Sequence, residues 1–241
     1  MNFDLTYRPF GEKAILIEWP KIIDENTLED ILNFKNSIEN ENIEVIVDII
    51  NTYNSLCVIY DIDIENINDA ILELKSIYLT SNNSNLARKR LWHIPVCYDE
   101  EFAIDSNELS KKLTLPFSEI MERHVSAVYR IYFIGFLPGF LYLGGLDSSL
   151  HINRKSIPNL NIKKGSVGIG GQQTGIYPQD SPGGWHIIGN SPINFFDINK
   201  QKSCFASPGD KLKFESVSAF DYLKIKESIE ENTYKYKFDL I

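Results

Sequence analysis

One block of the sequence, residues 165–189, combines many glycines with polar side chains that can contact a small polar ligand. The glycines are irregularly spaced, whereas a Rossmann or P-loop phosphate site needs strict spacing followed by a helix. Ligand sites orient a small molecule with a few convergent polar groups. The block supplies such groups from Gln172, Gln173, Tyr177, Asp180, Ser181 and His186. It therefore predicts a pocket for a small polar molecule.

His186 is the best candidate for general acid–base chemistry in this block, because histidine titrates near neutral pH. His93 lies in an apolar strand and His124 near the end of a helix, and both are expected to be structural. Ser181–Gly184 is typical of a hairpin turn. No set of side chains has metal-ligand spacing, so no metal site is predicted. The block predicts a pocket without an evident nucleophile.

A second unusual stretch, residues 133–147, holds four glycines, one proline and four aromatic residues in fifteen positions. Such a composition does not form a regular helix or a central strand. Two interpretations are compatible with each other. The aromatic rings fill the core of a bulged strand and its turn, or the loop approaches a ligand, with Phe140 and Tyr142 as pocket walls.

Composition narrows the class of protein. The chain has 241 residues and a net charge of −9, which disfavours binding to nucleic acid or an anionic membrane. No segment has the roughly 20 apolar residues of a membrane span, and Met1–Thr6 does not have the pattern of a signal peptide. Cys57, Cys97 and Cys204 are too widely separated to predict a disulfide framework. We expect a cytoplasmic protein.

The first part of the chain alternates predicted strands and helices. Strands are expected at residues 14–19, 45–50, 56–60 and 91–96, and helices at 24–38 and 64–78. This β-α-β-β-α-β order is the split βαβ pattern of a ferredoxin-like module. The last strand either completes that module or runs into the second domain. A linker is predicted at Ser81–Asn85, and the first domain is assigned to residues 1–88.

Residues 89–241 form the predicted second domain. Two short helices are expected at residues 105–113 and 117–129. The chain then becomes rich in glycine, proline and aromatic residues without helical periodicity, and further strands are expected near residues 210–214 and 234–240. This texture is typical of a β-barrel or sandwich with functional loops. The predicted fold class is therefore α+β.

Several motifs resemble one protein family over essentially the whole chain. The family includes the B component of 5-oxoprolinase, a sporulation-kinase inhibitor and allophanate hydrolase subunit 1, which is similar to half of a carboxyltransferase domain. The motifs that carry the resemblance occur in the family order at Arg8–Glu12, Tyr53–Leu56, Ile94–Tyr98, Gly135–Phe140, Gln173–Pro178, Ser181–Trp185 and Ser207–Asp210.

The resemblance implies a ferredoxin-like domain followed by a cyclophilin-like β-barrel. It also implies an enzyme subunit that works with a C-type subunit of related barrel fold and an A-type subunit. Together they cleave 5-oxoproline, a small cyclic amide, to glutamate at the expense of ATP. No cofactor bound by this chain is predicted, and ATP would be used by the complex. The chain alone is expected to be inactive.

The resemblance also suggests roles for the predicted site residues. Arg154 would hold a carboxylate, while Gln172, Gln173 and Tyr177 would orient the lactam. Asp180 and His186 would assist proton transfer or position groups of the partner. Some positions depart from the family pattern. Asn159 and Asn190 stand where arginines are common, and Lys163-Lys164 replace a usual Pro-Ala pair.

Two other functions are compatible with the same resemblance. In the first, the chain would be a regulator whose barrel docks on a histidine kinase and blocks phosphotransfer. In the second, it would be a component of a biotin-dependent carboxyltransferase. The second is the weaker alternative, because no biotinyl-carrier segment accompanies the chain. Substitution of Gln173 or His186 would separate enzyme from kinase inhibitor, since only the enzyme needs the polarity of the pocket.

Overall fold

The computed structural model describes residues 3–81 and 89–241, which divide into two compact units, Met1–Ala87 and Arg88–Ile241. Both units contain helices and strands, and the predicted α+β class is confirmed. The predicted linker lies almost entirely outside the described residues. Within the described ranges, no helix is both long and apolar enough to cross a bilayer.

Over its described residues, 3–81, the first unit has four strands and two helices. Its elements are β1 (Thr6–Pro9), β2 (Ala14–Glu18), α1 (Glu25–Asn40), β3 (Ile46–Asn51), β4 (Ser55–Tyr60) and α2 (Ile67–Thr80). The strands form an antiparallel sheet in the order β1-β2-β4-β3. Asp24 caps α1 by accepting hydrogen bonds from the backbone N–H groups of Asn26 and Thr27, as its residue type predicts. Both helices bury apolar side chains in one core, including Ile31, Phe34 and Leu74.

The second unit begins with β5 (Arg90–Val96) and contains most of the elements. The others are α3 (Ser106–Leu113), α4 (Phe117–Ser126), β6 (Tyr129–Ile134), β7 (Leu141–Gly144), β8 (Asn159–Ile162), β9 (Ser166–Gly170), β10 (Gln173–Ile176), β11 (Ser181–Gly183), β12 (His186–Asn190), β13 (Lys211–Ser216), α5 (Ala219–Glu230) and β14 (Lys237–Leu240). Eight strands form one sheet in the order β12-β9-β10-β7-β6-β13-β5-β14, and β8 pairs separately with β11.

The strand at residues 90–96 belongs to the second unit. The first unit therefore does not contain the last strand of the predicted β-α-β-β-α-β module. That strand, β5, pairs in parallel with β13 and antiparallel with β14. The fourth strand of the first sheet is β1, which sequence periodicity did not predict. β1 is a short edge strand and most of its residues are exposed, so it lacks the alternating apolar pattern of a half-buried strand.

The predicted closed barrel is not observed among the described residues. The eight-stranded sheet is an open ladder whose end strands, β12 and β14, are not paired with each other. The sheet is bent, however, because Cys97 and Asn190 exchange two backbone hydrogen bonds of 2.9 Å and so bring the ends of β5 and β12 together. This curvature places β9, β10 and β12 around the core of the unit.

The helices of this unit differ from the predicted ones at two places. Helix α4 ends at Ser126 rather than near residue 129, because Tyr129 starts β6 and donates its hydroxyl to the carbonyl of His124. Helix α5 was not predicted. None of its residues is fully buried, so the sequence shows only a weak apolar stripe there.

Candidate functional site

An aromatic cluster lies on one face of β9, β10 and β12. The ring of Phe140 stands 5.6 Å from that of Trp185 and 5.5 Å from that of Tyr177, both nearly edge-on. The three rings are almost fully buried. Edge-to-face packing of this kind is favourable for aromatic pairs. The cluster forms the floor and inner wall of a small pocket.

Glycines make room for these rings. A Cβ atom at Gly170 would overlap the indole of Trp185, and one at Gly183 would overlap the phenol of Tyr177. A Cβ atom at Gly175 would lie 3.0 Å from the Trp185 ring. These three glycines of the block are therefore explained by the packing of the chain's own aromatic side chains against the sheet.

The pocket above this cluster has a volume of about 100 Å³. Its lining residues are Phe136, Phe140, Tyr142, Arg154, Tyr177, Gly183, Gly184 and Trp185. Phe136 is 68% exposed and has a φ of 64°, a left-handed conformation that is unfavourable for a bulky residue. Strain of this kind is concentrated at ligand-binding loops. Its ring stands edge-on to Phe140 at the rim.

Arg154 supplies the positive charge of the pocket. Its guanidinium carbon lies 5.6 Å from the centre of the Trp185 ring, a cation–π contact. The residue is exposed, and its side chain makes no hydrogen bond or ion pair with any residue that the structure describes. An unpaired guanidinium presents several N–H donors in one plane, which suits a carboxylate. The pocket thus combines aromatic walls with one guanidinium whose chemistry suits a carboxylate.

The backbone that carries Arg154 is fastened on both sides. The Asn153 carbonyl accepts a hydrogen bond of 3.2 Å from Nε2 of His186, and Lys155 N–H donates to the Gly184 carbonyl at 2.7 Å. The Lys155 ammonium binds the Asp105 carboxylate. Of these three consecutive residues, Arg154 is the one whose side chain lines the pocket.

Two tyrosine hydroxyls complete the polar lining. Burial raises the pKa of Tyr177 above its ordinary value, and a backbone hydrogen bond at Trp185 and the charge of Arg154 partly offset this. Burial also raises the pKa of Tyr142, again partly offset by Arg154. Both phenols are therefore neutral at pH 7 and can donate or accept hydrogen bonds.

The structure brings four of the predicted site residues together, namely Phe140, Tyr142, Arg154 and Tyr177. Gln173 lies two positions from Gly175 and four from Tyr177, so strand alternation places it on the same face of β10, although it is not one of the residues that line the pocket. Gln172 is exposed in the turn between β9 and β10 and does not line the pocket.

The two predicted proton-transfer residues lie elsewhere. His186 is fully buried, and it follows Trp185 in an extended segment, so the two side chains point to opposite sides. Its imidazole instead faces α3, with Nδ1 4.0 Å from the Glu108 carboxylate. Asp180 is exposed outside the pocket lining, where Lys163 Nζ at 3.0 Å and Lys164 N–H at 2.7 Å bind it. These contacts, the backbone one foremost, lower the pKa of Asp180.

Sequence reasoning missed three residues that build the site. Trp185 supports Arg154, Phe136 forms the rim, and Asp105 anchors the Lys155 side chain while accepting a 2.7 Å hydrogen bond from Ile187 N–H. The positions of Gly170 and Gly175 relative to Trp185 could have indicated a ring lying on a glycine surface. The Asp105 contact spans 50 residues and left no local pattern. Among the described residues, no group of three or more His, Cys, Asp or Glu side chains could hold a metal ion.

Comparison with known proteins places this architecture in a family. The family model for the carboxyltransferase domain, subdomain C and D, matches residues 5–206. The chain therefore belongs to this carboxyltransferase-domain family.

Its curated relatives carry a more particular description. A protein of Haemophilus influenzae, named as the B component of 5-oxoprolinase, is 32% identical over 206 residues, which are 86% of this chain and 95% of that protein. A Bacillus subtilis protein of the same name is 41% identical over 139 residues, 58% of either chain. The match thus spans less than two thirds of the Bacillus relative.

Solved structures agree on the fold. A conserved uncharacterized protein of Pyrococcus horikoshii is 35% identical with a TM-score of 0.53, over 90% of this chain and all of that one. The urea amidolyase of K. lactis superposes with a TM-score of 0.81 over 98% of this chain and 16% of its own length. At 18% identity the latter likeness concerns the fold alone.

Proposed function

We propose that this chain is the B component of an ATP-dependent 5-oxoprolinase, and that the Arg154 pocket binds the substrate carboxylate. The observation that carries the proposal is the unpaired guanidinium of Arg154 over Trp185, at the mouth of a cavity of about 100 Å³. The names of the curated relatives support the substrate class. 5-Oxoproline combines one carboxylate with a small ring, and the pocket offers a partner for each.

The pocket chemistry accounts for recognition of the substrate but supplies no evident catalyst. The ring of the substrate would lie against Phe140 and Tyr142, and the Tyr177 hydroxyl and the Gln173 amide would face the lactam. No general base lines the described part of the cavity, since His186 and Asp180 lie outside it. We infer that proton transfer and the use of ATP depend on groups of A-type and C-type partner subunits in a cytoplasmic complex. Gln172, His186 and Asp180 would then not transfer protons themselves but would help to position the groups that bind or react with the substrate.

A partner is also supported by the surroundings of the pocket. Three exposed apolar side chains, Phe136, Ile157 and Leu160, are 68%, 82% and 73% accessible. Phe136 lines the pocket, and Leu160 lies on β8, which pairs with β11 beside Gly183. Exposed apolar groups near a polar site are typical of protein interfaces. We propose that the C-type subunit covers this face and closes the cavity.

The two units fit this assignment. We propose residues 1–88 as a ferredoxin-like domain, supported by a four-stranded antiparallel sheet with two helices. We propose residues 89–241 as a cyclophilin-like domain, supported by the bent eight-stranded sheet and its Cys97–Asn190 bridge.

The test is ATP-dependent release of glutamate from 5-oxoproline by the chain purified alone and with its cognate A-type and C-type subunits. Activity only in the assembled complex is expected. Turnover by the chain alone would contradict a shared site. An assembled complex that hydrolyses no 5-oxoproline would contradict the substrate assignment, and the kinase-inhibitor alternative would then be the next to examine.

A further inference from the structure

His186 is the residue whose observed place differs most from the predicted one, and its surroundings define a different role from acid–base catalysis. It is fully buried and separated from the pocket by the backbone of its own strand, since the side chains of Trp185 and Ile187 on either side both pack with Phe140 and Tyr177. No substrate in the pocket can reach its imidazole. A general acid or base must come within hydrogen-bond distance of the proton that it transfers.

The hydrogen bond of His186 identifies a ring nitrogen that carries a proton. A carbonyl oxygen only accepts, so Nε2 must carry the proton that is donated to Asn153. Nδ1 is buried and has no hydrogen-bond partner among the described residues. Burial lowers the pKa of His186, and the cations of Lys112 and Lys155 act in the same direction. The hydrogen bond to the Asn153 carbonyl and the charge of Glu108 partly offset this. The hydrogen bond therefore fixes the proton on Nε2, and the lowered pKa favours the neutral ring at pH 7.

The accepting carbonyl belongs to the peptide bond between Asn153 and Arg154. Neighbouring peptide groups are held as well, because Lys155 N–H donates to the Gly184 carbonyl, and Ile152 and Gly171 form a bridge. The His186 imidazole thus ties the Asn153 carbonyl to β12, 33 residues further along the chain. The direction in which the Arg154 side chain leaves the backbone depends on the orientation of this peptide.

We propose that His186 is a positioning residue whose Nε2–H···O=C hydrogen bond to Asn153 aims the Arg154 guanidinium over Trp185. The proposal deepens the function proposed above and rests on it, because it concerns the same carboxylate-binding group. The orientation of Arg154 itself, however, can be measured without any substrate.

The decisive comparison is between His186→Gln and His186→Asn. A glutamine amide nitrogen occupies nearly the position of Nε2 and can donate to the carbonyl, but it cannot act as an acid or base. The asparagine amide is one methylene shorter and does not reach. Positioning therefore predicts that Gln rescues and Asn does not, whereas acid–base catalysis predicts that both fail equally.

The first readout is the Arg154 Nε–H resonance in ¹H–¹⁵N spectra of the purified chain, assigned by its absence in Arg154→Lys. We expect the shift that the Trp185 ring imposes to persist in His186→Gln and to vanish in His186→Asn. Persistence in both variants, or loss in both, would overturn the proposal. If His186→Asn does not fold, the Gln spectrum alone decides, because a lost shift contradicts a role for the donor.

The second readout is kcat/KM of the assembled complex for 5-oxoproline. His186→Asn should lower it on the order of 10- to 100-fold, mainly through KM, because a misplaced binding group costs about that much. His186→Gln should stay within a few-fold of the wild type. Equal inactivation of both variants with unchanged KM would overturn the proposal. A complex without 5-oxoprolinase activity would overturn the substrate assignment and leave the spectroscopic result to stand.

Discussion

The two faces of the sheet formed by β9, β10 and β12 differ in how their polar groups are satisfied. On the core face, Tyr98 donates to Nδ1 of His124 at 2.8 Å, Nε2 of His124 reaches the Thr174 hydroxyl at 2.9 Å, and that hydroxyl donates to Gly168. On the pocket face, Arg154 has no polar partner among the described residues. A chain of groups with complete partners rigidifies a core, whereas an unpaired group at a cavity is available to a ligand.

Two buried histidines sharpen this comparison. His124 and His186 are both fully buried, but His124 uses both ring nitrogens and His186 only one within the described part of the chain. Neither has the accessible imidazole of a proton-transfer residue. The hydrogen-bond partners of each histidine therefore indicate a structural role. The exposed cation of Arg154 is the better indicator of where a ligand would bind.

We expect the largest loss of stability when the hydrogen-bond network on the core face is broken. His124→Ala should lower the free energy of unfolding by about 3 kcal/mol or more, because it opens a cavity and leaves the Tyr98 and Thr174 hydroxyls without a partner. Urea-induced unfolding followed by tryptophan fluorescence measures this loss. The control His151→Ala removes a half-buried ring with one 3.2 Å hydrogen bond and should cost under about 1 kcal/mol. Equal losses would contradict the structural role of the network.

The pH dependence of stability tests the same network. Burial lowers the pKa of His124 from its ordinary 6.5 to about 3, so between these values the unfolded chain binds a proton that the folded chain does not. Stability is therefore lost as the pH falls from 6.5 to 3, by about 1.4 kcal/mol per pH unit from this group. His124→Gln cannot titrate and should show a curve shallower by that slope. Parallel curves for the two proteins would refute the buried neutral state.

Arg154→Ala should remove the cation of the pocket face. We expect kcat/KM of the assembled complex to fall on the order of 10- to 100-fold, since a hydrogen bond to a charged group contributes about 1.5–3 kcal/mol. Stability should change by less than about 0.5 kcal/mol, because the residue is exposed. Lys224→Ala is the matched control, because that exposed cation lies over the Phe220 ring, outside the pocket. Similar losses in both variants would contradict a specific role for Arg154.

A smaller effect is expected from crowding the aromatic floor. Gly170→Ala should lower stability by about 1–3 kcal/mol, because the new methyl overlaps the Trp185 ring. Gly184→Ala is the control, since its methyl would meet nothing closer than 3.6 Å. Thermal unfolding of both variants measures the difference. Equal stability of the two would show that the ring does not need the glycine surface.

Much of the fold could be predicted because local chemistry marks it. The carboxylate of Asp24 identifies the start of α1, and apolar periodicity identifies α2 and the buried strands β2 and β4. The placement of β5 could not be predicted, because its parallel partner β13 lies about 120 residues away. No local pattern records so distant a pairing.

For the candidate site, the sequence indicated which segments contribute residues but not which side chains contact one another. Tyr177, Phe140 and Arg154 meet because three separate loops and strands converge, which their residue types only suggested. The position of His186 could have been anticipated, since neighbours in a strand face opposite sides and Trp185 precedes it. Its bond to Asn153 depends on tertiary packing and could not.

The most direct test of the account is equilibrium binding of 5-oxoproline and of its uncharged carboxamide to the assembled complex, with wild-type chain and with Arg154→Ala. We predict that the substitution weakens 5-oxoproline binding on the order of 10- to 100-fold and changes binding of the carboxamide little, because only the acid can pair with the guanidinium. An equal loss for both ligands, or no loss for the acid, would contradict the assignment of Arg154 as the carboxylate-binding group.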